Sequence, residues 1–147
     1  MKNILAVATA LVIAGCGGGG TATTSAPTPT PGISFKMTAQ NGSGVAGPGQ
    51  VIKAASSFTV TIKLTGMTAN SSHISHVHNG SCAKPGGVAY ALSQVIADSS
   101  GAATVTSTVP ANYAIPAGGW YVNVHHGPDF SVPANAPSIS CGDLPSA

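Results

Sequence analysis

The 147-residue chain contains no arginine and no glutamate, and its charge rests on five lysines and three aspartates. Without the signal-like start described below, Lys36, Lys53, Lys63 and Lys84 stand against Asp98, Asp129 and Asp143, a net charge near +1. A protein that follows nucleic acid or another anionic polymer needs a basic patch, so that class of partner is excluded. Long apolar runs are also missing. The only one, Ile4 to Ile13, is too short to cross a bilayer as a helix. No stretch has the three-to-four-residue apolar period of an amphipathic helix, and no internal repeat is present. Cysteine is scarce, at three residues.

Against this plain background the five histidines are concentrated in two clusters, His73-Ile74-Ser75-His76-Val77-His78 and His125-His126. Few acidic side chains exist to pair with them. Successive side chains of a strand point to opposite faces, so His76 and His78 share one face and Val77 takes the other. Two neutral imidazoles from one strand and a third from a distant strand form a nitrogen site suited to copper or zinc. A His-X-His pair taken alone is more often a pair of solvated histidines than a pair of ligands.

The rest of the chain reads as all-β. Phe58-Thr59-Val60-Thr61-Ile62-Lys63-Leu64-Thr65 alternates apolar and polar residues, the period of a half-buried strand. Further strands are expected at Ile33 to Thr38, Val51 to Lys53, Ser75 to His78, Val88 to Ile96, Ala103 to Val109, Trp120 to His125 and Ser138 to Cys141. Turn-forming clusters separate them, among them Asn41-Gly42-Ser43-Gly44, Asp98-Ser99-Ser100-Gly101 and Pro116-Ala117-Gly118-Gly119. Seven or eight short strands with regular turns predict an antiparallel Greek-key β-sandwich or barrel. In Trp120-Tyr121-Val122-Asn123-Val124-His125, Trp120, Val122 and Val124 take the core face. His125 then shares the outer face with Tyr121 and Asn123. His76, His78 and His125 are thus expected outside the sheet, under loops, whereas His73 and His126 have the wrong parity and are expected behind the ligands or in solvent.

The N-terminus carries a different signal. Met1-Lys2-Asn3 is a short basic start, Ile4 to Ile13 is apolar, and Ile13-Ala14-Gly15-Cys16 ends the segment on small residues before a cysteine. The tetrad resembles a bacterial lipobox, which implies a signal peptide over residues 1–15 and acylation of the Cys16 thiol. Each buried methylene of an acyl chain contributes about 0.8 kcal/mol, so two or three chains would hold the protein at a membrane of the cell envelope. Residues 16–32 are rich in glycine, threonine and proline and read as a tether; residues 33–147 form the domain. Lipidation of Cys16 leaves Cys82 and Cys141 as an even pair in an exported chain, where a disulfide is expected.

His76-Val77-His78-Asn79-Gly80-Ser81-Cys82, Val122-Asn123-Val124-His125 and Ser140-Cys141-Gly142-Asp143-Leu144 resemble, in this order, three elements of the copper/zinc superoxide dismutases: the copper strand, the late copper histidine and the terminal Cys-Gly. Together with Gly118-Gly119-Trp120-Tyr121, the same stretches resemble the CHRD domain more closely, over roughly Phe58 to Leu144. The resemblance implies a Greek-key sandwich, copper held by His76, His78 and His125, and a Cys82–Cys141 bridge. The chain departs from the dismutases in two places. No histidine lies between His78 and His125, so the bridging ligand and the zinc loop have no counterpart, and zinc is not expected as a second metal. The arginine that stands three residues before the terminal cysteine in the dismutases is replaced by Ser138, which removes anion steering. A blue-copper site is excluded because Cys141-Gly142-Asp143-Leu144-Pro145 supplies no neighbouring His or Met.

The expected function is that of a lipid-anchored protein binding one copper ion for storage, delivery or sensing, with a copper donor or acceptor protein as partner. A zinc-free copper superoxide dismutase and a non-catalytic interaction module of the CHRD type are the alternatives.

Overall fold

The computed structural model describes residues 30–146. The signal peptide, Cys16 and most of the tether lie outside the described residues. Ten strands follow one another: β1 (Ile33–Ala39), β2 (Gly47–Lys53), β3 (Phe58–Leu64), β4 (Ser72–His73), β5 (Ser75–Ser81), β6 (Lys84–Ala91), β7 (Val95–Ile96), β8 (Ala103–Val109), β9 (Trp120–His125) and β10 (Ser138–Asp143). One 3-10 turn, Pro133–Asn135, interrupts the β9–β10 connection.

Eight strands form one antiparallel sheet in the order β6-β5-β9-β10-β1-β2-β3-β8, while β4 and β7 pair separately. The chain crosses from β3 to β5, back from β6 to β8, and again from β8 to β9, the Greek-key pattern that the turn spacing predicts. The sheet curls into two facing halves, and β1 belongs to both. Its Ile33 to Met37 pair with β2, and its Thr38 and Ala39 with β10.

The core lies between the halves. Phe58 on β3 is fully buried and touches rings from across the fold: Trp120 on β9 at 5.8 Å, Tyr90 on β6 at 5.8 Å, and Tyr113 at 5.3 Å. Val60, Ile62 and Leu64 continue the same face, and Val77, Val122 and Val124 meet them from the other half, as the alternation predicts. Cys82 and Cys141 are joined in a disulfide that ties the end of β5 to β10. Beside it, the Cys82 N–H donates to Asp143 Oδ1 at 2.7 Å.

Several strand boundaries differ from expectation. The segment Val88 to Ile96 is not one strand: β6 ends at Ala91, where the Leu92 N–H turns to the Ser75 carbonyl and the Ser93 N–H to Ser107 Oγ. The chain then leaves the sheet to pair Val95 and Ile96 with β4. The second strand begins four residues early, at Gly47-Pro48-Gly49, a sequence that reads as a turn. These glycines serve close packing instead: a Cβ on Gly49 would lie 2.3 Å from the Phe35 ring, and one on Gly47 would lie 1.9 Å from the Lys63 carbonyl oxygen. Likewise β5 and β6 run on through Asn79-Gly80-Ser81 and Lys84-Pro85-Gly86-Gly87. Among the described residues no helix is long and apolar enough to cross a membrane.

Candidate metal centre

β5 and β9 are hydrogen-bonded neighbours, with His76 opposite Asn123 and His78 opposite Tyr121. Their inward valines fix the parity, so His76, His78, Tyr121, Asn123 and His125 all stand on the outer face. That face is covered. His76, His78 and His125 are 6%, 5% and 3% exposed, against the usual solvation of an outer sheet face. The β9–β10 connection lies over them, and its Phe130 places its ring 4.5 Å from the His125 ring and 5.3 Å from that of His76.

Backbone carbonyls orient two of the imidazoles. His78 Nδ1 lies 3.0 Å from the Gly86 carbonyl oxygen, and His125 Nδ1 lies 2.6 Å from that of Ala136. A carbonyl only accepts, so both Nδ1 atoms carry a proton, and in the neutral imidazole each Nε2 then keeps its lone pair. The two Nε2 atoms face each other at 3.4 Å. With each ring's proton held at Nδ1, nothing within the pair bridges the two lone pairs; a cation between them would. The ladder between β5 and β6 is irregular on both sides of His78, a distortion that re-aims a side chain, here toward His125.

His76 is the third member. Its Nδ1 is, among the described residues, the one buried side-chain polar atom with no hydrogen-bond partner. A buried polar nitrogen left unpaired costs about 1–3 kcal/mol, a cost that coordination of an ion removes. One nitrogen from each of the three rings lies within 4.8 Å of the others. Burial, followed by the neighbouring His125 and His78 rings, pulls the His76 imidazole down from 6.5 to about 4. Burial also lowers His125, with His78 adding to the shift and the Ala136 hydrogen bond opposing it. Neutral imidazoles are the form that binds metal. On every count the donor set fits a metal ion.

Of the two remaining histidines, His73 is buried behind the site. Its Nδ1 donates to the His125 carbonyl at 3.0 Å and its Nε2 lies 2.7 Å from Ser71 Oγ, so it holds the backbone of His125. His126 is exposed and turns away, its N–H donating to the Pro137 carbonyl at 2.8 Å. Sequence reasoning placed all three central histidines on one face but missed their partners. Gly86 and Ala136 act through carbonyls, which leave no side-chain signal, and Phe130 comes from an irregular connection. Ser138 donates to Asn123 Oδ1, and Asn123 Nδ2 lies 3.2 Å from His125 Nε2. The outward parity of Asn123 was the available sign of that contact.

Comparison with known proteins supports the fold. No protein-family profile matches the chain, and no curated protein matches it. Solved structures do. A SOD-like protein from Bacillus subtilis superposes with a TM-score of 0.59 at 15% identity, covering 76% of this chain and 97% of that one. A double mutant of a SOD-like protein from Bacillus subtilis, with a tyrosine and a proline each replaced by histidine, superposes with a TM-score of 0.59 at 13% identity, covering 76% and 95%. The fold is therefore SOD-like.

Proposed function

We propose that this protein is a lipid-anchored copper carrier of the cell envelope, binding one copper ion at His76, His78 and His125 for storage, delivery or sensing. The observation that carries the proposal is the pair of carbonyl-oriented imidazoles whose Nε2 lone pairs converge at 3.4 Å beside the orphaned Nδ1 of His76. Three imidazoles hold Cu(I) in a three-coordinate site and accept Cu(II) with added water or a further donor, so either oxidation state can be carried.

A carrier is favoured over an efficient dismutase by what surrounds the site. Superoxide turnover near the diffusion limit needs a positive field to draw in the anion and an open position at the metal. Among the described residues the cationic side chains are four lysines: Lys36, Lys53 and Lys63 stand on β1, β2 and β3, and Lys84 stands at the start of β6, opposite Ser81. Phe130 covers two of the three rings, and Ser138 stands where the dismutases carry arginine. Anchoring rests on Ile13-Ala14-Gly15-Cys16 alone.

The test is made on protein purified from its native membrane fraction. The expected result is about one copper per chain, an acylated N-terminal Cys16 by mass spectrometry, and copper binding weakened by more than about 100-fold after His78→Ala or His125→Ala, beyond the roughly 10–100-fold that loss of an outer-shell partner costs. Copper-loaded protein that dismutates superoxide at about 10⁸ M⁻¹s⁻¹ or faster would replace the carrier reading with an enzyme. Protein that takes up no metal would leave an interaction module, and an unmodified N-terminus would remove the anchor.

A further inference from the structure

We infer that Asn123 is a fourth ligand of this site, its side-chain amide turning over to present Oδ1 when an ion enters; this presupposes that the three histidines hold a metal. Asn123 is 6% exposed and stands on the outer face of β9, directly across from His76. Its Nδ2 is 3.2 Å from His125 Nε2, and its Oδ1 accepts from Ser138 Oγ. Because His125 Nδ1 spends its proton on the Ala136 carbonyl, the Asn123 N–H points at the lone pair an incoming ion must take. The N–H and the ion compete for one site.

Once the ion holds His125 Nε2, an unmoved amide would aim the positive end of its N–H dipole at a cation from hydrogen-bond distance. A half-turn about the Cβ–Cγ bond reverses this. The amide is nearly the same shape in both orientations, and Oδ1 then stands where Nδ2 stood. Ser138 makes the exchange free of loss, since a hydroxyl donates to Oδ1 before the turn and accepts from Nδ2 after it. A residue that only donates could not serve both states. The amide also borders a cleft of about 230 Å³ lined by Tyr121, Ser138 and the disulfide, which gives a flat group room to rotate without moving the backbone. The result is a donor set of three nitrogens and one oxygen. That set suits four-coordinate Cu(II) or Zn(II) better than three-coordinate Cu(I), so Asn123 would select the divalent state.

Two roles for Asn123 predict opposite signs. A group that merely occupies the His125 lone pair in the empty site is a competitor, and its removal tightens metal binding. A ligand's removal weakens it. Titration of the folded domain with Zn(II) alone should show Asn123→Ala binding about 10-fold or more weaker than wild type, Asn123→Asp binding at least as well as wild type, and Cu(I) affinity changed by less than about 3-fold in Asn123→Ala. In wild-type protein, NMR should show the Asn123 amide protons moving from the His125 ring toward the Ser138 β-protons on adding Zn(II), a readout that survives if the alanine variant folds poorly. Unchanged or tighter Zn(II) binding by Asn123→Ala, or amide protons that stay beside His125 in the loaded state, would overturn the assignment and leave the histidine site standing. Wild type that binds neither ion would defeat the three-histidine reading itself.

Discussion

β3 and β9 are both short alternating strands of one sheet, yet their outer faces have opposite fates. On β3, Thr59, Thr61 and Lys63 look out toward water, and the threonines pair across to β8, Thr59 with Thr108 at 3.3 Å and Thr61 with Thr106 at 3.0 Å. On β9 every residue is buried, the outward Tyr121, Asn123 and His125 nearly as completely as the inward valines. The inner faces are alike, because both must pack against the other half. The difference lies in what the outer face is asked to do. A polar face costs nothing in water, whereas a buried one must be given partners group by group. β9 has them in the Ala136 carbonyl, Ser138 and the neighbouring imidazoles; the one buried side-chain atom left unpartnered among the described residues, His76 Nδ1 on the adjacent β5, is free to take an ion.

The comparison breaks first, and most visibly, at the shared inner face. Phe58→Ala should destabilise the domain by about 3–5 kcal/mol in denaturant unfolding, because it empties the centre of the ring cluster that joins the halves. A loss under 1 kcal/mol, roughly the effect of a surface change, would mean the halves do not share one core.

The buried outer face should show itself through pH. An exposed imidazole takes up a proton near 6.5, whereas His76 in the folded chain does so only near 4. Its folded value is depressed, so between those limits the unfolded chain binds the extra proton and the native state does not. Metal-free protein should therefore hold its full stability above about pH 6.5 and lose it progressively down to about pH 4. The unfolding midpoint measured across that window checks this. A flat profile that remains flat in His76→Ala would show that His76 is solvated.

The smallest effect belongs to the solvated face. Thr61→Ala removes one exposed hydroxyl contact and should shift stability by no more than about 0.5 kcal/mol. A cost approaching that of Phe58→Ala would show that the threonine pairs carry structure and would erase the contrast between the two faces.

Much of this was legible in the sequence, and for a physical reason. Strand parity is a local property, so Phe58, Val60 and Ile62 on one side, and His76, His78 and His125 on the other, could be sorted by alternation alone. The Cys82–Cys141 bridge followed from counting thiols. What escaped depends on contacts between distant segments. Gly47-Pro48-Gly49 looks like a turn until Phe35 is seen to occupy the space above Gly49. The carbonyls of Gly86 and Ala136 are chemically identical to every other carbonyl in the chain. That the outer histidines lie under loops was expected, but the residue that covers them could not be read, because Phe130 reaches them from an irregular connection whose path no periodicity records.

The double membership of β1 bears on time as well as shape. Thr38 hydrogen-bonds the carbonyl of Cys141 across 103 residues of chain, so the first strand of the domain waits for the last before its pairing is complete. β9 and β10, which carry or brace His125, also come last in chain order among the described strands. Topologies dominated by such distant pairing fold in milliseconds to seconds, far slower than helical proteins of equal length. Until that closure the histidines belong to separate segments, and a metal offered early would meet only the isolated His76-X-His78 pair. The completed site is therefore a late product of folding, and, under the carrier proposal, occupancy would report that the whole sandwich has formed.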